Sequence, residues 1–284
     1  RSMGYFRDKV AAVTGAASGM GRALAVELAR RGCHLALSDV DEAGLQATAA
    51  QARAHGVRVS VARVDMAARD EVQAWAERVA QEHGKVNLVF NNAGVALSAL
   101  LESVKPEDFR WIMDINFWGV VWGTQAFLPH LKASGAGHVV NTSSLFGLLA
   151  APGNGAYNAS KFAVRGYTEA LRMELELSGV PVSATCVHPG GVRTNIARAA
   201  RIDPHALMLN GMSAAEAVER FDRMLDVTSP AKAARQILRG VERNRRRVLV
   251  GVDAWFLDKL VRLLGSWYQP LVMHFARRLR RARR

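Results

Sequence analysis

Short apolar runs, several of them β-branched, alternate along the chain with longer segments whose apolar positions recur every three or four residues. The first pattern predicts strands and the second predicts amphipathic helices. Val10–Thr14 predicts a strand, residues 15–21 a glycine-rich turn, and Arg22–Arg31 a helix stopped by Gly32. Strands are expected at His34–Ser38, Val57–Val64, Val86–Phe90, His138–Thr142, Val182–Val187 and Arg247–Val250. Helices are expected at Glu42–Ala54, Arg69–His83, Pro106–Leu131 with a break near Gly119, Tyr157–Leu177 and Pro230–Gly240. Strand and helix in strict alternation imply βαβ units, hence a parallel sheet covered on both faces and doubly wound by right-handed crossovers. No repeat or Pro/Gly/Ser-rich linker interrupts the pattern. One domain is expected over residues 1–252, followed by a helical tail over 253–284.

Composition narrows the class. Of 284 residues, 50% are hydrophobic, enough for a sizeable core, yet no run approaches the length of a membrane span. Residues 1–8 lack the apolar stretch of a secretory signal. Cys33 and Cys186, the only cysteines, both fall in expected core strands. They are expected to be buried free thiols, which suits a reducing cytoplasm. The formal net charge of +13 is uneven: Arg243, Arg245, Arg246 and Arg247 form one cluster, and Arg277, Arg278, Arg280, Arg281, Arg283 and Arg284 another. The excess therefore belongs to the C-terminal end and its partners. No recognised nucleic-acid-binding pattern accompanies it, so no nucleic-acid partner is expected.

Two segments carry chemistry. Thr14-Gly15-Ala16-Ala17-Ser18-Gly19-Met20-Gly21 lies between a strand and a helix, where glycines let the backbone approach a pyrophosphate and the helix N-terminus offers free N–H groups. Asp39, at the end of the second strand, can accept hydrogen bonds from adenosine ribose hydroxyls and repel a 2′-phosphate, selecting NAD over NADP; capping the next helix is its other possible role. Arg22 is either a partner for such a phosphate or a solvated helix residue. Asp65 follows the third strand, at the adenine edge. Asn91-Asn92-Ala93-Gly94 follows the fourth, as a cofactor contact or a plain turn.

In Tyr157-Asn158-Ala159-Ser160-Lys161, Tyr157 and Lys161 share one helix face. A free Tyr titrates near pH 10, and a neighbouring ammonium lowers that value, so the pair can serve as a general acid/base; a surface Tyr with an i+4 Lys is its other reading. Ser143 and Ser144 end the preceding strand, where ligands collect in such sheets, and a hydroxyl there polarises a carbonyl. Asn116 can hold backbone or a proton-relaying water near Lys161. No metal-ligand cluster is present.

These segments, with His188-Pro189-Gly190-Gly191-Val192-Arg193-Thr194, make the sequence resemble the short-chain dehydrogenase/reductase family over roughly residues 7 to 252. The resemblance implies a Rossmann-type α/β domain that moves a hydride between NAD and an alcohol or carbonyl. It implies cofactor contacts at Gly15, Ser18, Gly19, Met20, Gly21, Asp39, Asp65, Met66, Asn92, Ala93, Gly94, Tyr157, Lys161, Pro189, Gly190, Val192 and Thr194. It implies catalytic roles for Ser144 (with Ser143 second), Tyr157, Lys161 and Asn116. It also implies a homodimer or homotetramer built partly through the helix carrying Tyr157. A noncatalytic dinucleotide-binding or membrane-surface scaffold on the same fold is the competing class.

The apolar residues Leu145, Phe146, Leu148, Leu149, Ala150 and Pro152 suggest a hydrophobic substrate such as a steroid, retinoid or lipid-like alcohol. Leu207, Met208, Leu209, Met212, Phe221, Met224 and Leu225 follow the segment 188–194, where the resemblance implies a substrate lid; core packing is their other reading. In the tail, Leu257, Leu260, Val261, Leu264, Trp267, Tyr268, Leu271, Phe275 and Leu279 recur at helical spacing, and Pro270 is expected to break or kink the helix. The tail either lies on an anionic membrane, making the protein cytoplasmic and peripheral, or packs on its own or a partner subunit.

Overall fold

The computed structural model describes residues 4–194, 196, 199–210 and 213–281. Met212, Arg283 and Arg284, and the side chains of Met208, Leu209, Leu279, Arg280 and Arg281, lie outside the described residues.

The central sheet is built from β1 (Val10–Thr14), β2 (His34–Asp39), β3 (Val59–Arg63), β4 (Leu88–Asn91), β6 (Gly137–Thr142), β7 (Val182–Pro189) and β9 (Arg247–Val250). These seven strands run parallel in the order β3-β2-β1-β4-β6-β7-β9. The chain winds outward one way from β1 and the other way from β4. The crevice beyond the C-terminal ends of these two strands is therefore the switch point where such sheets bind ligands.

Alternation within each strand feeds two separate cores. Ala11, Val13, Leu35, Leu37, Leu88 and Phe90 point to one face; Ala12, Ala36 and Val89 point to the other. On the first face lie α1 (Gly19–Arg30), α2 (Glu42–Arg53) and α9 (Pro230–Glu242), contributing Leu24, Leu28, Leu45, Ile237 and Leu238. On the second lie α3 (Arg69–His83), α5 (Gly119–Ala133) and α6 (Gly155–Ser178). There Trp75 meets Phe127 edge-to-face with centroids 5.0 Å apart, both rings fully buried. Each such side chain contributes about 1.5–3 kcal/mol of apolar burial. Cys33 and Cys186 are buried free thiols, as expected.

Two expectations need correction. The helix from Pro106 does not break at Gly119: α4 (Pro106–Met113) continues through a π-helical turn, Asp114–Trp118, into α5. Gly119 is instead the point of close approach to Met66, whose Cβ a side chain at Gly119 would meet at 3.1 Å. Second, the tail folds as α10 (Val252–Leu264), a 3-10 turn (Gly265–Trp267) and α11 (Tyr268–Arg281). The interruption falls at Gly265, with φ 54°, while Pro270 sits in the first turn of α11, where no N–H donor is needed. The root of the tail packs on its own domain: Ala254 is fully buried, and Asp258 is buried and ion-paired to Arg247 and Arg262.

The region after β7 holds α7 (Pro204–Asn210) and α8 (Ala214–Leu225), the latter opened by a Ser213/Glu216 capping box. Two-residue strands β5 (Leu97–Ser98) and β8 (Arg201–Ile202) pair in parallel and tether this region to the segment after β4. Among the described residues no helix is long and apolar enough to cross a membrane.

Candidate active site

The turn after β1 is shaped by its glycines. Gly15 has φ +64°, and a Cβ there would stand 2.8 Å from the Ala93 Cα. At Gly21 a Cβ would collide with the Gly15 carbonyl, so only glycine lets α1 lie this close to the strand end. Ser18 precedes α1 in extended conformation and its side chain makes no capping bond, so the first-turn N–H groups face the crevice without a side-chain acceptor. Gly19, with φ +54°, lies against the Thr194 side chain, joining this turn to the segment after β7; Met20 packs on the first core.

Asp39 is tied to the turn. Its carboxylate accepts from Ala17 N (2.9 Å) and Asp41 N (3.1 Å), one bond per oxygen, leaving lone pairs on both. The cap of α2 is Asp41, which accepts from Gly44 N, so capping is not the role of Asp39. Arg22 is not a solvated helix residue: its guanidinium donates to the Ala17 carbonyl (2.6 Å), the Gly44 carbonyl (3.3 Å) and Thr48 (3.0 Å). Asp65 accepts from Ala67 N, forming a tight turn that sets Met66 inward against Gly119.

The run after β4 is pinned from both sides. The Thr14 hydroxyl accepts from Asn92 N and Ala93 N, and Asn92 Nδ2 donates to the Thr14 carbonyl at 3.2 Å. Asn91 donates to Asn141 of β6 and to Thr124 of α5, so the two asparagines knit β4 to both neighbouring strands. Gly94 lies close against two of the expected catalytic residues: a Cβ there would stand 3.3 Å from Asn116 Oδ1 and 3.4 Å from Lys161 Nζ.

Around Gly94 the expected catalytic residues converge. Asn116, fully buried in the π-turn, accepts from Val95 N (2.8 Å) and donates to the Val95 carbonyl (2.9 Å) and Ser160 Oγ (3.1 Å). Of the two roles open to it, holding backbone is the one its side chain performs. Ser144 Oγ accepts from Phe146 N at 3.1 Å and is near enough to the Tyr157 phenol to lower its pKa, whereas Ser143 turns inward and donates to the Lys161 carbonyl at 2.7 Å. Lys161 Nζ is buried and donates to the Thr142 carbonyl at 3.1 Å. It lies 5.8 Å from the Tyr157 ring centroid.

The electrostatics differ from expectation. Burial raises the Tyr157 phenol above its ordinary value, and Ser144 offsets only part of this. Burial also depresses Lys161, to about 8. Desolvation disfavours both charged forms, so in the protein alone Lys161 does not bring Tyr157 below the ordinary tyrosine range.

Beyond β7, Gly190 N donates to the Val250 carbonyl and Val192 bridges to Thr228. Pro189 ends β7 as its last residue.

Several residues at the site were not anticipated. Asp253, in the first turn of α10, accepts from Gly191 N at 2.6 Å and occupies the space a side chain at Gly190 would need. His188, fully buried, holds the Ser144 carbonyl at 2.8 Å, and burial lowers its pKa to about 4, so the ring is neutral. Its Nδ1 therefore donates to that carbonyl. Tyr268 of α11 accepts from Ala150 N at 3.0 Å, on the loop between Ser144 and Tyr157. The His188-Pro189 pair was a visible signal for one of these; Asp253 and Tyr268 lie far along the chain from the loops they hold.

Residues 9–205 match the family model described as short chain dehydrogenase. The chain belongs to the short-chain dehydrogenase/reductase family. It is 49% identical over 270 residues to SadH of Mycobacterium tuberculosis, a protein that carries an oxidoreductase name, covering 95% of this chain and 96% of that protein. A short-chain dehydrogenase/reductase from Burkholderia phymatum, solved in complex with NAD, shares 33% identity and superposes with a TM-score of 0.84 over 92% of this chain and 95% of its own. An alcohol dehydrogenase from Thermococcus sibiricus, solved with 5-hydroxy-NADP, shares 25% identity with a TM-score of 0.69, covering 86% and 96%. The chain is thus an oxidoreductase of a family that uses nicotinamide dinucleotides. The cradle fits such a group: three glycines whose Cβ atoms would meet backbone or side chain, a helix N-terminus facing the crevice, and a carboxylate at the end of β2.

Proposed function

We propose that the chain is an NAD-dependent oxidoreductase interconverting a lipophilic secondary or primary alcohol and its carbonyl, with Tyr157 as general acid/base. The observation that carries this reading is the convergence of Ser144, the Tyr157 ring and the buried Lys161 Nζ, 5.8 Å from that ring, beside Gly94 and Asn116. Gly15, Ser18, Gly19, Met20 and Gly21 would hold the pyrophosphate. Asp39 would hold the adenosine ribose, Asp65 and Met66 the adenine side, and Asn92, Ala93, Gly94 and Lys161 the nicotinamide ribose side. Pro189, Gly190, Val192 and Thr194 would seat the carboxamide.

Bound nicotinamide supplies the hydride acceptor in oxidation and the donor in reduction. In oxidation the Tyr157 phenolate takes the alcohol proton as the carbinol C–H bond gives up its electron pair. In reduction the phenol returns that proton to the forming alkoxide. Ser144 holds the reacting oxygen, and Asn116 keeps Val95 and Gly94 fixed beside Lys161.

Apolar surroundings favour the lipophilic substrate. The Tyr157 ring packs edge-to-face with Phe146 at 6.1 Å and joins the Leu97–Ala99–Ile112 cluster, with Val104, Phe109 and Trp111 beside it. A panel of secondary alcohols with NAD tests this: kcat/KM is expected to rise with apolar bulk, by about tenfold for each 1.4 kcal/mol of added burial. Preference for short polyols would overturn it.

Asp39→Ser is expected to lower kcat/KM with NAD and raise it with NADP, shifting their ratio by at least about tenfold. A carboxylate at the ribose repels a 2′-phosphate, and each 1.4 kcal/mol relieved is a factor of ten. Steady-state kinetics with both cofactors check it, and an unchanged ratio removes Asp39 from cofactor selection.

A further inference from the structure

The outer face of the C-terminal helices takes no part in the site above. On α10 and the turn after it, Val252, Trp255, Phe256, Leu263 and Trp267 are each more than half exposed, as is Phe275 on α11. This is not a core segment left unpacked. The opposite side of α10 is already engaged through Ala254, through Asp253 on Gly191, and through Asp258 on Arg247. With that side clamped, the apolar stripe points outward. A contiguous exposed patch of large apolar side chains marks an interaction surface.

Charge identifies the occupant. From Asp253 onward the chain has two carboxylates, Asp253 and Asp258, both turned into the protein. Against them stand Lys259, Arg262, Arg277, Arg278, Arg280, Arg281, Arg283 and Arg284. A second copy docked symmetrically here would set this array against itself with no exposed carboxylate to meet it. The other exposed apolar face, formed by Trp118, Phe162, Met173 and Leu177 on the π-turn and α6, carries no such array and is the better surface for self-association. Nucleic acid would match the arginines but gives Val252, Phe256 and Leu263 nothing to bury in. An anionic bilayer matches both: headgroups for the arginines, the interfacial zone for Trp255 and Trp267, acyl chains for Phe256 and Leu263.

We infer that α10 and α11 form a docking face for an anionic lipid bilayer. The same helices hold the site's loops, through Asp253 on Gly191 and Tyr268 on Ala150. Docking therefore brings the helices that hold those loops onto the lipid. If the lipophilic-substrate reading of the preceding subsection holds, the substrate is drawn from that phase.

Vesicle co-sedimentation of the full chain, without cofactor or alcohol, tests the docking independently of that reading. The full chain is expected to pellet with vesicles of equal parts phosphatidylcholine and phosphatidylglycerol, to stay in solution with phosphatidylcholine alone, and to be released by salt. Arg277→Glu/Arg278→Glu is expected to weaken binding at least about tenfold. Trp255→Ser/Leu263→Ser, which alters only exposed side chains, is expected to do likewise with an unchanged thermal melt and sedimentation coefficient. Equal recovery in the supernatant with both vesicle types overturns the inference. So does full binding by both variants. Loss of self-association in the variants, without vesicle binding by the wild type, would make the occupant a second copy.

Discussion

Replacing Tyr157 with Phe is expected to lower turnover by about two to four orders of magnitude, the range spanned by positioned proton transfer, while leaving NAD affinity nearly unchanged. The substitution removes one oxygen and keeps the ring, so the packing on Phe146 and the Ile112 cluster survives. What is lost is the group that exchanges the proton. The cofactor cradle, built from Gly15, Gly21, Asp39 and Asn92, does not touch that oxygen. The pH profile carries the same signature. Tyr157 is raised by burial, so at neutral pH it is the protonated acid. Oxidation needs the phenolate, so its kcat/KM is expected to climb with pH until the phenol titrates. Reduction needs the phenol and is expected to stay level over the same range. The Phe variant loses the rising limb. Binding measured by calorimetry and rates measured across pH separate this account from simple misfolding.

The second large effect is expected at Gly21. Its Cβ position is blocked by the Gly15 carbonyl and lies 2.8 Å from Asn92 Nδ2, neither of which is the free end of a flexible side chain. Gly21→Ala therefore forces the turn away from α1 and disturbs the Asn92 bond to Thr14. Overpacking of this kind costs about 1–3 kcal/mol. The same displacement moves the first-turn N–H groups off the pyrophosphate, so NAD affinity is expected to fall at least about tenfold, since 1.4 kcal/mol is a factor of ten. Thermal melts with and without NAD read both effects: the variant melts lower and gains less from added cofactor.

The parts of this fold legible in the sequence are those set by local periodicity. Arg69–His83 and Arg247–Val250 have the bounds their patterns imply, because one is a clean amphipathic helix and the other a short strand after a charged turn. The glycine turn and Tyr157/Lys161 were legible because local spacing puts those groups together. Residues whose meaning depends on distant contacts were not. Whether Asp39 or Asp41 caps α2 depends on where Ala17 lies. The π-turn at Asn116 is a shift of hydrogen-bond register that leaves no compositional mark. Asp253 fell at the start of the expected tail, yet it locks a loop some sixty residues earlier in the chain. The phenol's electrostatics were misjudged because spacing shows that Lys161 is near Tyr157 but not that both are desolvated. Periodicity picked out Leu257, Leu260, Val261 and Leu264, which the structure half-buries; the exposed apolar residues of α10 are Val252, Trp255, Phe256 and Leu263, a face it did not single out.

The most direct test of the central claim is the appearance of NADH absorbance when purified protein is mixed with NAD and a lipophilic secondary alcohol, run beside the Tyr157→Phe variant. The expected result is steady NADH formation by the wild type, stronger with NAD than with NADP, and almost none by a variant that still binds NAD. Equal rates from the two proteins would contradict the assignment of Tyr157 as the acid/base.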